Sequence, residues 1–221
     1  MGSITRSFAN NIGSSGILTA SAVTNTTVED VTSFDNAASA GTLVLLSTQT
    51  ASASATISFT TGLDSTYDEY IFKFIDIHPA TDAAEFQFNM STDAGSNYNV
   101  TKTTTFFNSR HSEDDTSEAG LSYFSANDLA QSTAFQDIYV NAGNGNDENV
   151  SGELSLFNPS STTYVKHFIA RLQGYHNADS SFEYYIAGYG NTTSAVNAVR
   201  FQMSSGNIDD GIIKLYGVKK S

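Results

Sequence analysis

The sequence predicts an all-β fold, an antiparallel β-sandwich head over residues 41–221 preceded by an extended N-terminal arm over residues 1–40. Three observations predict it. After Gly41 the chain is a series of about eleven short runs of β-branched and aromatic residues, separated by Asn, Gly, Ser and Asp, the spacing of a two-sheet sandwich. Several of these runs alternate apolar and polar residues, as strands with one buried face do. Before Gly41 the apolar residues are isolated, and no period of 3.6 or 2.0 is sustained.

The elements follow in order. Residues 43–49 open on an apolar run and read as a strand, and Ala55, Ile57 and Phe59 alternate with Thr56, Ser58 and Thr60. The Ser-Ala alternation of residues 52–55 leads into that pattern and reads as part of the same strand. A turn at residues 62–65 precedes residues 69–77, EYIFKFIDI, which are apolar on nearly both faces and predict a central strand covered on both sides. Further strands are expected at 85–90, 97–107, 134–140, 150–157, 163–172, 182–189, 198–203 and 212–218. The linkers carry turn chemistry, such as Asp93-Ala94-Gly95-Ser96, Asn144-Gly145 and Asn158-Pro159. Residues 108–120 are polar and long, and read as an exposed loop. No helix of ordinary length is expected, only a single turn near residues 126–131.

Composition narrows the function. A formal net charge of -13 repels phosphate backbones and anionic membrane surfaces, so neither nucleic-acid binding nor membrane insertion is expected. Only 15% of residues are charged, so the surface is built largely from Ser, Thr and Asn, which suits neutral, hydroxyl-rich ligands. Cysteine is absent, removing disulfides and thiolate chemistry. The first residues carry no long apolar region and no myristoylation pattern, because Arg6 stands where Ser or Thr is needed.

No catalytic constellation is apparent, and a non-enzymatic protein without cofactor or metal is expected. His78, His111, His167 and His176 lack the close spacing of metal ligands. Two acidic clusters, Glu113, Asp114, Asp115 and Glu118, and Asn146, Asp147, Glu148 and Asn149, could gather calcium, but neither follows EF-hand spacing. A glycosidase would pair Asp76 with Glu153 or Glu183, yet nothing in the sequence specifies convergence. Serine has no nucleophile elbow around it. Tyr98, Tyr175 and Tyr189 are the candidate glycan contacts, each offering an apolar ring with a polar tip. In the arm, Phe8, Ile12, Ile17 and Leu18 cannot bury themselves locally and are the candidate anchoring residues.

Several stretches resemble a family of small virion-associated proteins of marine tailed bacteriophages. They are Leu46-Ser47-Thr48-Gln49-Thr50, Tyr67-Asp68-Glu69-Tyr70-Ile71-Phe72-Lys73-Phe74 and Ile77-His78-Pro79-Ala80-Thr81, with Ser91-Thr92-Asp93-Ala94-Gly95-Ser96-Asn97-Tyr98. Leu156-Phe157-Asn158-Pro159-Ser160-Ser161, Ala187-Gly188-Tyr189-Gly190-Asn191 and Ile213-Lys214-Leu215-Tyr216-Gly217 complete the set, and Phe8-Ala9-Asn10-Asn11-Ile12 is similar to the starts of such proteins. The resemblance implies a jelly-roll-like head, a homotrimer and a place on the virion surface after synthesis in the host cytoplasm. It implies that the arm docks on other virion proteins, of tail or capsid. The expected role is a tail fibre or receptor-binding appendage contacting host-surface carbohydrate, with a capsid decoration protein as the alternative and a glycan-degrading enzyme as a third reading.

Overall fold

The structure, a computed structural model, describes residues 42–220, which hold twelve strands and one turn of 3-10 helix at Ser125–Asn127. The anchoring candidates Phe8, Ile12, Ile17 and Leu18 lie outside the described residues. In chain order the strands are β1 (Leu43–Ser54), β2 (Ile57–Phe59), β3 (Glu69–Pro79), β4 (Ala84–Ser91), β5 (Lys102–Ser112) and β6 (Ala119–Tyr123). They continue as β7 (Gln136–Ala142), β8 (Val150–Phe157), β9 (Lys166–His176), β10 (Ser180–Gly190), β11 (Ala198–Met203) and β12 (Ile208–Val218).

Pairing is antiparallel throughout, and its order is that of a jelly roll. One sheet runs β1-β12-β3-β8 and the other β2-β11-β4-β7. The links β1 to β2, β3 to β4, β7 to β8 and β11 to β12 therefore each cross from one sheet to the other, the double Greek key of that fold. Two hairpins are added to this eight-strand framework. β5–β6 is inserted between β4 and β7, and β9–β10 between β8 and β11. They join each other and β8, so the first sheet extends as β8-β9-β10-β5-β6. A single pair, Ala142 with His176, ties β7 to β9 and nearly closes the two sheets into a barrel.

Inward positions alternate along the strands and meet in one aromatic core. Tyr70, Phe72 and Phe74 of β3 are buried, as are Phe86 and Phe88 of β4. Phe201 of β11 sits among them, 5.1 Å from the ring centres of both Phe72 and Phe74 and 5.9 Å from Phe86. Most of these contacts are edge-to-face, the arrangement favoured by the ring quadrupole and worth roughly 0.5–1.5 kcal/mol per pair beyond burial.

Four local expectations change. β3 is central, between β12 and β8, but only its Tyr70, Phe72 and Phe74 face is fully buried; Ile71 and Ile75 remain partly exposed, because one side of an antiparallel sheet suffices for the core. The run 52–60 is two strands in different sheets, divided at Ala55 and Thr56 after Ala53 takes a φ of 48°. The period-2 pattern continued across the bend and concealed it. β5 begins at Lys102 rather than residue 97 and extends to Ser112. The predicted loop at 108–120 is thus a hairpin whose return strand, β6, is held by pairs such as Phe107 with Tyr123 and Ser109 with Leu121.

Two lysines are buried, against the usual preference of this side chain for solvent. Lys102 and Lys166 are both register partners of Gly190, one on either side of β10. Lys102 Nζ donates to Asn89 Oδ1 at 2.6 Å and to the Val100 carbonyl at 2.9 Å. Burial lowers its pKa to about 7.

Candidate functional site

The inserted hairpins bring three turns together at one end of the extension: residues 113–118 between β5 and β6, residues 143–149 between β7 and β8, and residues 177–179 between β9 and β10. Backbone bonds tie them to one another. Glu113 N–H donates to the Asp179 carbonyl at 3.0 Å, and Asn177 N–H to the Asn141 carbonyl at 3.1 Å. Tyr175 lies where they meet: its N–H donates to the Asn149 carbonyl at 3.0 Å, and its own carbonyl accepts from Gly143 N–H at 3.3 Å.

Around Tyr175 is an open concavity of about 360 Å³, lined also by His111, Glu113, Asp147, Asn149, Gln173 and Ser181. Gln173 shares the outer face of β9 with Tyr175, two residues away, so the pleat fixes their relative direction. The phenol is pushed up to about 12, chiefly by its hydrogen bond to Glu113, then by burial and the charges of Glu113, Asp179 and Glu148. It therefore stays protonated at any physiological pH, a donor in a rim rich in acceptors. The arrangement offers one aromatic ring, side-chain amides and carboxylates to a ligand carrying many hydroxyls, and its negative field disfavours anions.

The two acidic clusters, considered in sequence as calcium loops, meet at this place but spend much of their valence on their own turns. Asp114 accepts from Ser117 Oγ, from Thr116 N–H at 2.9 Å, from Ser112 Oγ at 2.7 Å and from Ser117 N–H at 2.8 Å. Those donors hold its carboxyl far below the ordinary range. Glu148 accepts from Gly145 N–H and folds over Gly143 and Gly145, where any Cβ would strike its carboxylate. Among the described residues, no three His, Cys, Asp or Glu side chains converge as a metal site requires.

The other two tyrosines lie elsewhere. Tyr189 is eight positions along β10 from Ser181, the partner of Tyr175, a separation of about 26 Å. It borders a trough on the outer sheet face with Thr103, Thr105, Phe157, His167 and Ile169. Tyr98 follows β4, and the guanidinium of Arg200 sits 4.0 Å above its ring, so one face is already taken. Its hydroxyl is buried against Gly95, whose φ of 84° admits no Cβ there. Asp93 organises this turn by accepting from Ser91 Oγ at 2.7 Å and from the side chain and N–H of Asn97, which brings its carboxyl down to about 2.

The carboxylates considered for glycoside hydrolysis are distributed differently again. Glu153 and Glu183 both border a shallow depression on the outer face with Arg171 between them. Glu153 is ion-paired with Lys73, and Glu183 with Arg171. Burial would raise Glu183, but hydrogen bonds from Arg171 and Tyr185, together with the Arg171 charge, hold it below the usual range. A general acid needs the opposite shift. Asp76 sits at an irregularity of β3, its N–H bonded to Ser151 Oγ, and does not line this depression.

The histidines have ordinary local partners. His78 Nδ1 is 2.7 Å from the Glu148 carbonyl, and His176 stacks on Phe182 at 4.1 Å. Comparison of the chain with known protein families, curated proteins and solved structures finds no match. Sequence reasoning marked Tyr175 and the acidic turns separately but missed Gln173, His111 and Ser181 as their companions. Only the i, i+2 spacing of Gln173 and Tyr175 hinted at a shared face.

Proposed function

We propose that this chain is a structural virion protein of a tailed bacteriophage, a surface appendage of the tail-fibre or receptor-binding type whose head contacts neutral host glycans at Tyr175. The observation that carries the reading is the concavity itself. It holds a protonated phenol, the Gln173 and Asn149 amides, and the carboxylates of Glu113 and Asp147 on turns fixed by backbone bonds. Saccharides present an apolar ring face and a fringe of hydroxyls, which such a set matches, and the acidic rim selects neutral or amino sugars over sialylated or uronic ones. Jelly-roll topology is compatible with the role but does not imply it. The virion assignment draws on the motif resemblance, and the arm of residues 1–40 is the proposed docking segment.

Two experiments test it. Antibody against the head, applied to intact particles, marks the tail for the receptor-binding form, and particles without label contradict a virion location. Removing residues 1–40 leaves a folded head that no longer enters particles; normal incorporation contradicts the docking role. A capsid decoration protein is the second reading, with the head covering shell subunits, and labelling confined to the capsid would select it.

A further inference from the structure

The outer face of the extension sheet exposes several large apolar side chains among its polar ones. Among the described residues the exposed large apolar side chains are Leu43, Leu45, Phe107, Leu121, Tyr123, Tyr164 and Ile169. Four of these share one face. Phe107 is paired with Tyr123 and Tyr185, Leu121 with Ser109, and Ile169 with Ala187, so the register places all of them on the side opposite the core. Leu121 is 77% exposed, Tyr123 61% and Ile169 55%, and a grouping of exposed large apolar side chains on one face marks an interaction surface.

Electrostatics identify what covers them. The chain carries a net charge of -13, yet on the outward rows of β5, β6, β9 and β10 between the two ends the charged groups are Arg171 and Glu183, which neutralise one another. The next strand adds Glu153, paired with Lys73. At the rim Asp128 accepts from the Tyr123 hydroxyl and keeps its negative charge, outside the outward rows themselves. Two like-charged copies of an acidic protein repel wherever they present their carboxylates, and approach at least cost through a face of no net charge. Among the described residues β6 is an edge with no strand beyond it.

We propose that the outer face of the extension sheet, centred on Leu121, Phe107 and Ile169, is the surface through which copies of this chain associate with one another. The inserted hairpins then have a structural reason: the eight-strand framework is complete without them, and they supply the contact. This inference stands apart from glycan binding at Tyr175, which lies at the turn end of the same strands.

The test is the mass in solution of the full chain, measured by light scattering and sedimentation across concentration, beside three variants. Leu121→Glu/Ile169→Glu places like charges on both copies at exposed positions and is expected to weaken association at least tenfold, giving monomer where the unmodified chain is oligomeric. Leu121→Glu alone shifts the equilibrium in the same direction and serves if the double variant loses its cooperative melting. Leu45→Glu, an equally drastic change on exposed β1, leaves the oligomer intact. A chain that is monomeric up to its solubility limit overturns the proposal, as does an oligomer that persists unchanged in folded Leu121→Glu/Ile169→Glu or is lost equally in Leu45→Glu.

Discussion

The eight framework strands and the four added ones use the same residue types for different ends. In the framework most aromatic rings turn inward: Phe59, Phe72, Phe74, Phe86 and Phe201 form one buried cluster spanning both sheets, while Phe157 and Tyr216 lie on the outer side. In the extension only alternate aromatics do so. Phe106, Phe182 and Tyr184 are buried, whereas Phe107 and Tyr185 stack on each other outside at 4.9 Å, and Arg171 lies 5.4 Å from the Tyr185 ring centre. A strand has two faces and the core needs one, so inserting hairpins at the sheet's end creates surface that the framework's stability does not depend on. That surface is free to take up recognition, and the turns joining the hairpins carry the Tyr175 concavity.

The largest expected effect lies in the framework. Phe201→Ala removes the ring common to five aromatic contacts and is expected to cost about 3–5 kcal/mol, read as a lower midpoint of denaturant unfolding with little change in slope. Leu121→Ser in the extension is expected to change the same midpoint by no more than about 0.5 kcal/mol when measured on monomer. Equal losses in the two variants would erase the distinction between framework and extension.

Next comes pH. Lys102 has a folded pKa of about 7 against an ordinary 10.5, so between those values the unfolded chain binds the extra proton and stability rises with pH. The contribution of this group is complete above pH 10.5 and is progressively lost as pH falls through that window. Its slope approaches about 1.4 kcal/mol per pH unit at most. Buried Tyr139 and Tyr184, both raised, act oppositely once pH exceeds 10, since their neutral forms are favoured in the fold. The window free of tyrosine titration is thus pH 7 to 10, and Lys166, also lowered by burial, adds a slope of the same sign within it, so removing Lys102 reduces the slope rather than abolishing it. Lys102→Met keeps Asn89 Oδ1 bonded to Met90 N–H and is expected to make the profile shallower there. An unchanged slope would place the titration elsewhere.

The smallest stability effect with the largest functional one is expected at Tyr175. Tyr175→Ala leaves the melting temperature within the range of ordinary surface substitutions, yet removes the ring and the phenol donor from the concavity, weakening glycan binding by about 30-fold or more.

Strand existence was largely legible in the sequence because period-2 patterns are local. EYIFKFIDI announced β3, and Phe86, Phe88 and Met90 announced β4. β6 was not legible: Ala119-Gly120-Leu121-Ser122-Tyr123 follows an acidic turn, and its pairing with β5 alone makes it a strand. Nor was the β1-β12-β3-β8 order, since strands distant in sequence become neighbours through packing rather than through any local preference. The same holds for the site. Tyr175, Glu113 and Asp147 are residues of three different turns and strands, and no spacing in the chain says that they meet. The buried Lys102 and Lys166 contradict what lysine ordinarily signals, and only the carbonyl and amide oxygens around their ammonium groups explain how they are accommodated.

The most direct test of the central claim is retention of the full-length protein on a panel of immobilised neutral, amino-sugar and sialylated glycans, run beside Tyr175→Ala. Retention on neutral or amino-sugar glycans, weak on sialylated ones and lost in a Tyr175→Ala protein with unchanged melting, is the predicted result. No retention on any glycan, or retention that survives Tyr175→Ala undiminished, would contradict it.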